Sequence, residues 1–365
     1  MNEKRLSDID SAFLRYLRGF CILIIVFGHV GGFWFYRPYS EFLHASVPVF
    51  YFISGSVLFF SFERAQSLSG FYFKRIINLL VPYYLLCVLS LCVYVITNHA
   101  LPAYNLNKMI SWLIIGAPND IMPFPIGQVW FLNVLLIIII ISPFYFWLNK
   151  HYKYLLLAVL FVFILLSSGQ LFTDIEPIMG GDIINLYKPM IYSSFFIFGI
   201  LFYSSAHMQA KTALYVLTFC SLILTVLPVY FFKLKIDFAH HNFPPDIYFV
   251  SGCFLVLFAV LIFRKKLTLL IQKMKIADRF FSFFHRHTFS IFLLHTFSIY
   301  LCEELYEPVS KSEKGIVYGC VKLVAVLVMT CLFSPLFTKL SDQIILLISR
   351  FINLLKFLKP LRYSR

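Results

Sequence analysis

The chain has 365 residues, of which 60% are hydrophobic and 13% are charged, and its formal net charge is +14. A soluble domain carries about 25% charged residues, so a soluble fold would leave too much apolar surface in contact with water. We therefore expect lipid to surround most of the chain. The basic residues occur in short clusters between apolar runs, which is typical of membrane topology and argues against a nucleic-acid-binding face.

Apolar runs long enough to cross a bilayer, about 20 residues each, recur along the sequence. They predict an all-α, polytopic membrane helix bundle of about ten transmembrane helices, with no internal repeat. We expect one membrane domain over residues 1–342 and a basic amphipathic tail, 343–365, on the inner membrane surface. The predicted spans lie near residues 16–36, 46–62, 77–98, 129–148, 154–170, 188–206, 212–232, 247–263, 288–302 and 316–338.

The distribution of charge orients this bundle. With a cytoplasmic amino terminus and ten spans, 23 of the 31 Lys and Arg residues fall on the inner side and 8 on the outer side. The basic connection 264–286 contributes most to the difference. Because positive charge collects on the cytoplasmic side, the bias predicts that both termini are cytoplasmic.

Two ionisable residues lie inside the first predicted span, FLRYLRGFCILIIVFGHVGGF. Arg18 and His29 are 11 residues apart, which turns a helix to within about 20° of three full turns, so both side chains share one face. The same 11 residues rise about 16 Å, which predicts His29 near mid-membrane. An imidazole acts as a general base at neutral pH. The alternative is a structural histidine that only hydrogen-bonds a neighbouring helix.

Five motifs together resemble the membrane-bound acyltransferase-3 family. Arg18 and His29 match its first-span Arg-x10-His signature, and VPVFYFISGSVLFF is similar to its second span, with the Ser-Gly pair at Ser54. FKRIINLLVPYYL resembles its basic entry to the third span. GQVWFLNVLL matches its Trp-Phe-Leu start of the fourth span, and HTFSIFLLHTFSIYL matches its late span containing His295. The motifs occur in the family's order and cover essentially the whole chain.

One position departs from the family pattern. Asn78 stands where the family often has the second Arg of Arg-x-x-Arg, so the resemblance does not imply a two-arginine clamp around Arg75. Many larger members also carry a soluble esterase-like domain at the carboxyl end, which we do not expect here. The membrane part, or a separate partner, is then expected to complete the reaction.

The resemblance implies transfer of an acyl group from cytoplasmic acyl-CoA to a hydroxyl of a cell-surface glycan or its lipid-linked precursor, in a bacterial inner membrane. Acetyl is the family's commonest acyl group, which makes acetyl-CoA the expected co-substrate, with no bound cofactor. We expect His29 and Arg18 to be catalytic. The basic residues expected to hold the anionic donor are Arg18, Lys74, Arg75 and Arg286.

A second set of residues is expected to line the acceptor path, because aromatic and polar side chains suit a sugar. It consists of Ser54, Tyr83, Trp130 and His295. Trp130 has an alternative place in the interfacial aromatic belt, and the Ser-Gly pair at Ser54 has an alternative role in close helix packing. The adjacent His240 and His241 are expected on a loop surface, and no metal site is expected.

Two other classes of membrane protein fit the composition. One is a transporter or flippase that moves a glycan intermediate, and the other is a non-catalytic accessory subunit of a polysaccharide synthase. A transporter is expected to show internal repeats or broken helices in matching halves, and the sequence shows neither. The acceptor glycan, the choice between acetyl and succinyl, and the oligomeric state stay open at this stage.

Overall fold

A computed structural model of the chain describes residues 6–31, 41–99, 115, 127–173, 185–306 and 316–358. Over these residues the regular structure is helical, apart from an isolated bridge between Asn242 and Pro245. We number the longer helices in chain order. They are α1, Asp8–His29; α2, Ser46–Glu63; α3, Leu68–Asn98; α4, Trp130–His151; α5, Lys153–Gly169; α6, Tyr187–Ser204; α7, Lys211–Phe232; α8, Ile247–Ile262; α9, Arg264–Lys273; α10, Lys275–Arg286; α11, Thr288–Tyr306; and α12, Ile316–Leu358.

Several helices begin where a polar side chain caps an apolar run. The backbone N–H of Asp10 donates to Ser7 Oγ at 3.1 Å, which starts α1. Ser67 caps α3 in the same way, and Asp246 caps α8. Each cap satisfies a backbone donor that has no partner within its helix and none in a lipid tail.

The first helix lies nearer the amino terminus than predicted. The expected span was 16–36, but α1 begins after the Ser7 cap and ends at His29. Gly31 follows with φ of 91°, a conformation that glycine adopts at little cost and that ends helices. His29 is therefore the last residue of α1, and the expectation that it lies halfway through a span rested on wrong boundaries.

Among the described residues, six helices are long and apolar enough to cross a bilayer: α1, α2 with its preceding turn, α3, α4, α7 and most of α12. The pair α8 and α9, bent by 60°, adds a seventh if it is counted as one span. The apolar helix α5 and the apolar part of α11 are shorter. A helix occupies each of the ten predicted intervals. The number of crossings and the side of each terminus stay predictions.

The basic connection 264–286 is not an open loop but two helices, α9 and α10. In α10 the phenylalanines recur among charged residues, which gives one apolar face that packs on α1. The contact is close at Gly19, where an added Cβ would lie 2.6 Å from the carbonyl oxygen of Phe281. The basic helices thus lie against the half of α1 that carries Arg18.

The centre of the bundle is α6, whose residues Ile191–Tyr203 are buried throughout. It crosses α2 at a pair of glycines. An added Cβ at Gly55 would lie 2.0 Å from the carbonyl oxygen of Phe196, and one at Gly199 would lie 2.3 Å from that of Phe52. Close backbone approach through small residues is the usual way for helices to pack in lipid. The packing interpretation of the Ser-Gly pair therefore holds for Gly55.

The last helix continues beyond the predicted membrane domain. α12 runs from Ile316 to Leu358 and passes the expected boundary at residue 342 as one helix. The predicted tail therefore starts as the continuation of the last membrane helix. Residues 359–365 lie outside the described part of the chain.

The orientation of the bundle is tested by reporter fusions. We expect cytoplasmic signals after residues 70, 150, 210 and 275 and outer signals after residues 40, 110, 180, 240 and 310. The physical reason is the excess of Lys and Arg on one side of the predicted bundle. An outer signal after residue 275 would invert α9 and α10 and contradict the predicted topology.

Candidate active site

Two histidines from distant parts of the sequence meet at the end of α1. His295 Nε2 lies 3.1 Å from His29 Nδ1, and the two ring centroids are 4.8 Å apart. His29 Nδ1 also lies 3.0 Å from the carbonyl oxygen of Ile25, one turn earlier. His295 is fully buried on α11, and its Nδ1 lies 3.2 Å from the carbonyl oxygen of Ile291. The structure therefore places predicted catalytic and acceptor-path histidines in direct contact.

These contacts select one tautomer for each neutral ring. A carbonyl oxygen only accepts, so His295 Nδ1 carries the proton and donates it to Ile291. Its Nε2 then has a lone pair, which accepts from His29 Nδ1–H. The remaining nitrogen of His29, Nε2, is left with a lone pair and has no hydrogen-bond partner among the described residues. This nitrogen has the form that a general base requires.

A cavity of about 200 Å³ opens beside His29. The histidine is exposed at the helix end, so small molecules reach its ring from this space. The volume is below the roughly 300–1,000 Å³ of sites for drug-sized ligands, and it suits one sugar ring or a similar group. The polar side chains on the walls, besides His29 itself, are His44, Ser46, Gln128 and Asn242.

Aromatic rings form the other walls of the cavity. Trp130 lies 5.0 Å from Phe243 with the rings nearly perpendicular, and 5.6 Å from Tyr192. Trp130, which was predicted to line the acceptor path, therefore lies on the wall of this cavity. Ser54 and Tyr83 are not among the described residues that line it. Tyr83 is fully buried on α3, where its ring centroid lies 5.2 Å from that of Tyr84.

The outer wall of the cavity is a turn between α7 and α8 that two histidine–aspartate pairs support. His241 Nδ1 lies 2.5 Å from Asp246 Oδ2, and His240 Nδ1 lies 2.7 Å from Asp237 Oδ2. The hydroxyl of Tyr187 donates to the carbonyl oxygen of Pro245 at 2.7 Å. Asn242 and Phe243 are thereby held at the cavity. The sequence expected only loop surface here and missed this role, because its partners lie outside the local motif.

The hydrogen bond that His241 donates to the carboxylate of Asp246 raises the pKa of His241 above its ordinary value. A raised pKa in the folded state adds stability that is complete at pH below the unfolded value of about 6.5 and is lost as pH rises through the folded value.

Among the described residues, no group of three His, Cys, Asp or Glu side chains is arranged to hold a metal ion.

Arg18, the first of the predicted donor residues, lies at the middle of α1, half the helix away from His29. Arg18 and Arg75 lie close enough to repel each other, and neither forms an ion pair with a described acidic side chain. Arg75 donates a hydrogen bond to Ser61. Lys74, next to Arg75 on α3, is exposed. Arg286, the last residue of α10, is exposed as well. By contrast, Arg15 has an anionic partner, Asp278, at 3.6 Å.

His285 of α10 lies near this cluster. Burial, together with the charges of Arg18 and Arg15, lowers its pKa to about 4, so its imidazole is neutral at pH 7. Arg18 and Arg75 thus form a cation cluster with no ion-pair partner among the described acidic side chains. We call it the inner cation cluster, because the predicted topology places it on the cytoplasmic side. The cluster and His29 are separated by about 16 Å along α1.

Comparison with known proteins identifies the family of the chain. The sequence model of the acyltransferase-3 family, described as an acyltransferase domain, matches residues 11–338. The chain therefore belongs to this family, and it is a helical membrane acyltransferase. The comparison with curated proteins and the comparison with solved structures gave no match.

Proposed function

We propose that this protein transfers an acyl group, acetyl being the expected one, from cytoplasmic acyl-CoA to a hydroxyl of a cell-surface glycan or its lipid-linked precursor. The observation that carries the proposal is the His29–His295 pair, which leaves His29 Nε2 as a lone pair at an accessible cavity. The proposed location is a bacterial inner membrane.

In the proposed reaction, His29 Nε2 takes the proton of the acceptor hydroxyl while the hydroxyl oxygen attacks the thioester carbonyl carbon. The C–S bond then breaks, and the proton on His29 neutralises the departing thiolate of coenzyme A. His295 stabilises the transient imidazolium, because its Nε2 lone pair accepts from His29 Nδ1–H. The same Nε2 is also the atom that would carry the acyl group if the reaction passed through an acyl-histidine.

The donor is proposed to lie along the half of α1 that runs from Arg18 to His29. Its phosphates are held by Arg18 and Arg75, with Lys74 and Arg286 at the cytoplasmic entrance. The thioester must then lie about 16 Å away, next to His29. Coenzyme A suits this separation, because an extended pantetheine arm joins its phosphates to its sulfur. Arg18 is in this proposal a donor-binding residue that places the thioester, since it lies well away from His29.

The acceptor is proposed to enter the cavity beside His29. The rings of Trp130 and Phe243 offer apolar surface for the face of a sugar, and the polar wall groups offer hydrogen bonds. Tyr83 and Ser54, which the sequence placed on this path, are not among the described residues that line the cavity, and the proposal gives them no role.

A transporter or an accessory subunit would need neither the His29–His295 pair nor the Arg18–Arg75 cluster. A carrier has no use for a histidine tautomer fixed by a second histidine, nor for a donor cluster on one side. Loss of glycan acylation with normal glycan export separates the proposed enzyme from both alternatives.

Donor binding gives the first test of the proposal. Binding of acetyl-CoA to the purified protein is expected to weaken as salt rises, because exposed phosphate contacts are screened. Arg18→Ala and Arg75→Ala are each expected to weaken binding about tenfold, the effect of one charged hydrogen bond, and Lys150→Ala on the end of α4 is the control. Equal affinity in all four proteins, measured by calorimetry, would remove the inner cation cluster from the donor site.

Substitution of His29 tests the chemistry. We expect His29→Ala and His29→Gln to lower glycan acylation by about 10²- to 10⁴-fold at normal protein abundance, because an amide does not accept a proton at neutral pH. The exposed His207→Gln is the matched control. The measurement is mass spectrometry of surface glycans together with immunoblotting of the membranes. Normal acylation by His29→Gln would show that hydrogen bonding alone suffices and would refute the general base.

A further inference from the structure

Gln128 is a buried amide whose side-chain oxygen accepts no hydrogen bond from the described residues. It lies in the turn Gly127–Val129 that precedes α4, is 4% exposed, and lines the cavity beside His29. Its Nε2 donates to Thr296 Oγ1 at 2.7 Å. Its Oε1 has no hydrogen-bond partner among the described residues.

A buried amide oxygen without a partner destabilises the fold, and most buried polar groups in folded proteins are paired. Such an exception, placed on the wall of an accessible cavity, is explained if a ligand supplies the missing donor. An amide oxygen only accepts, so the ligand must bring an O–H or N–H group.

Gln128 and His29 are positioned by consecutive residues of α11. His295 holds His29, and Thr296 holds Gln128. Any movement of α11 therefore moves both groups, and their register at the cavity is fixed by one helix. A group that binds Gln128 is thereby set in a defined position relative to His29 Nε2.

The cavity limits what this ligand is. Its volume of about 200 Å³ holds one ring, and its aromatic walls suit the face of a sugar. A ligand of this size that reacts at His29 through one hydroxyl and donates to Gln128 must present a second donor on the same ring, and a free hydroxyl is the commonest such donor in sugars.

We infer that Gln128 is a positioning residue for the acceptor, whose Oε1 accepts a hydrogen bond from a second, free hydroxyl of the sugar that is acylated. This rests on the proposed function. The pair His29 and Gln128 then selects which hydroxyl reacts, because His29 takes one proton while Gln128 fixes the orientation of the ring. The acceptor class is a sugar with at least one unsubstituted hydroxyl besides the one acylated.

The test uses the source cells, with the gene deleted and then restored as the full-length wild type or a variant. Gln128→Met keeps the length of the side chain and removes its hydrogen bonds. Gln128→Glu keeps an acceptor oxygen, and the Thr296 hydroxyl rotates to donate to it. Thr296→Val frees the amide, and Gln343→Met on the exposed face of α12 is the control. Mass spectrometry gives the extent of glycan acylation, NMR of the isolated glycan gives its position, and immunoblotting gives abundance.

We expect Gln128→Met to lower acylation at least about tenfold, the effect of one buried hydrogen bond, or to move the acyl group to another hydroxyl. Gln128→Glu is expected to retain the wild-type position and more activity than Gln128→Met, and Thr296→Val to give a mixture of positions. A purely structural role for Gln128 would change abundance without changing the position.

Wild-type extent and position in Gln128→Met at normal abundance would overturn the inference. So would a Gln128→Glu variant as poor as Gln128→Met, since that would assign the contact to Nε2. If Gln128→Met is not inserted, Gln128→Glu and Thr296→Val decide by the position of the acyl group. Absence of acylation in cells restored with the wild type would instead overturn the proposed function, which is a separate result.

Discussion

The hydrogen bond between His29 and His295 joins the end of the first helix to the middle of a helix 266 residues later. It sets the tautomer of both rings, and it fixes where the lone pair of His29 Nε2 lies. It also links His29 to the cavity wall, because α11 carries Thr296, the hydrogen-bond partner of the wall residue Gln128. Near its middle α1 is held against α10 by the close contact at Gly19. The position of the reactive nitrogen thus depends on helices that contact α1 at its end and near its middle.

α1 also separates two kinds of electrostatic environment. Its first half faces Arg75 and the basic helices α9 and α10, and its carboxyl end lies beside histidines, an amide and aromatic rings. An anion is attracted to the first region, and an uncharged polar ring fits the second. One helix therefore suits a long substrate with phosphates at one end and a reactive carbonyl at the other. Neither region alone would distinguish an acyltransferase from a binding protein.

The sequence predicted the helical class and the family, because each motif is local and the order of the motifs is specific. Arg18 and Arg75 were assigned together, and the structure places them near each other. His295 was predicted as an acceptor-path residue, and its contact with His29 was not predictable from residues so far apart. Gln128 was part of a recognised motif, yet its hydrogen bond depends on Thr296 of another helix. Tyr83 does not line the described cavity, and the sequence could not show this, because a tyrosine in an apolar run gives the same pattern whether it faces a cavity or the core.

The central claim is that His29 is a neutral imidazole whose unprotonated Nε2 faces the acceptor cavity. It is tested most directly by ¹⁵N NMR of the purified protein with labelled histidine, using His29→Gln to assign the His29 signals. The account predicts, at neutral pH, a protonated Nδ1 and an unprotonated Nε2 for His29. In His295→Leu it predicts a weaker preference, because only the carbonyl oxygen of Ile25 then accepts from Nδ1–H. A protonated Nε2, in either a neutral or a cationic ring, would contradict it.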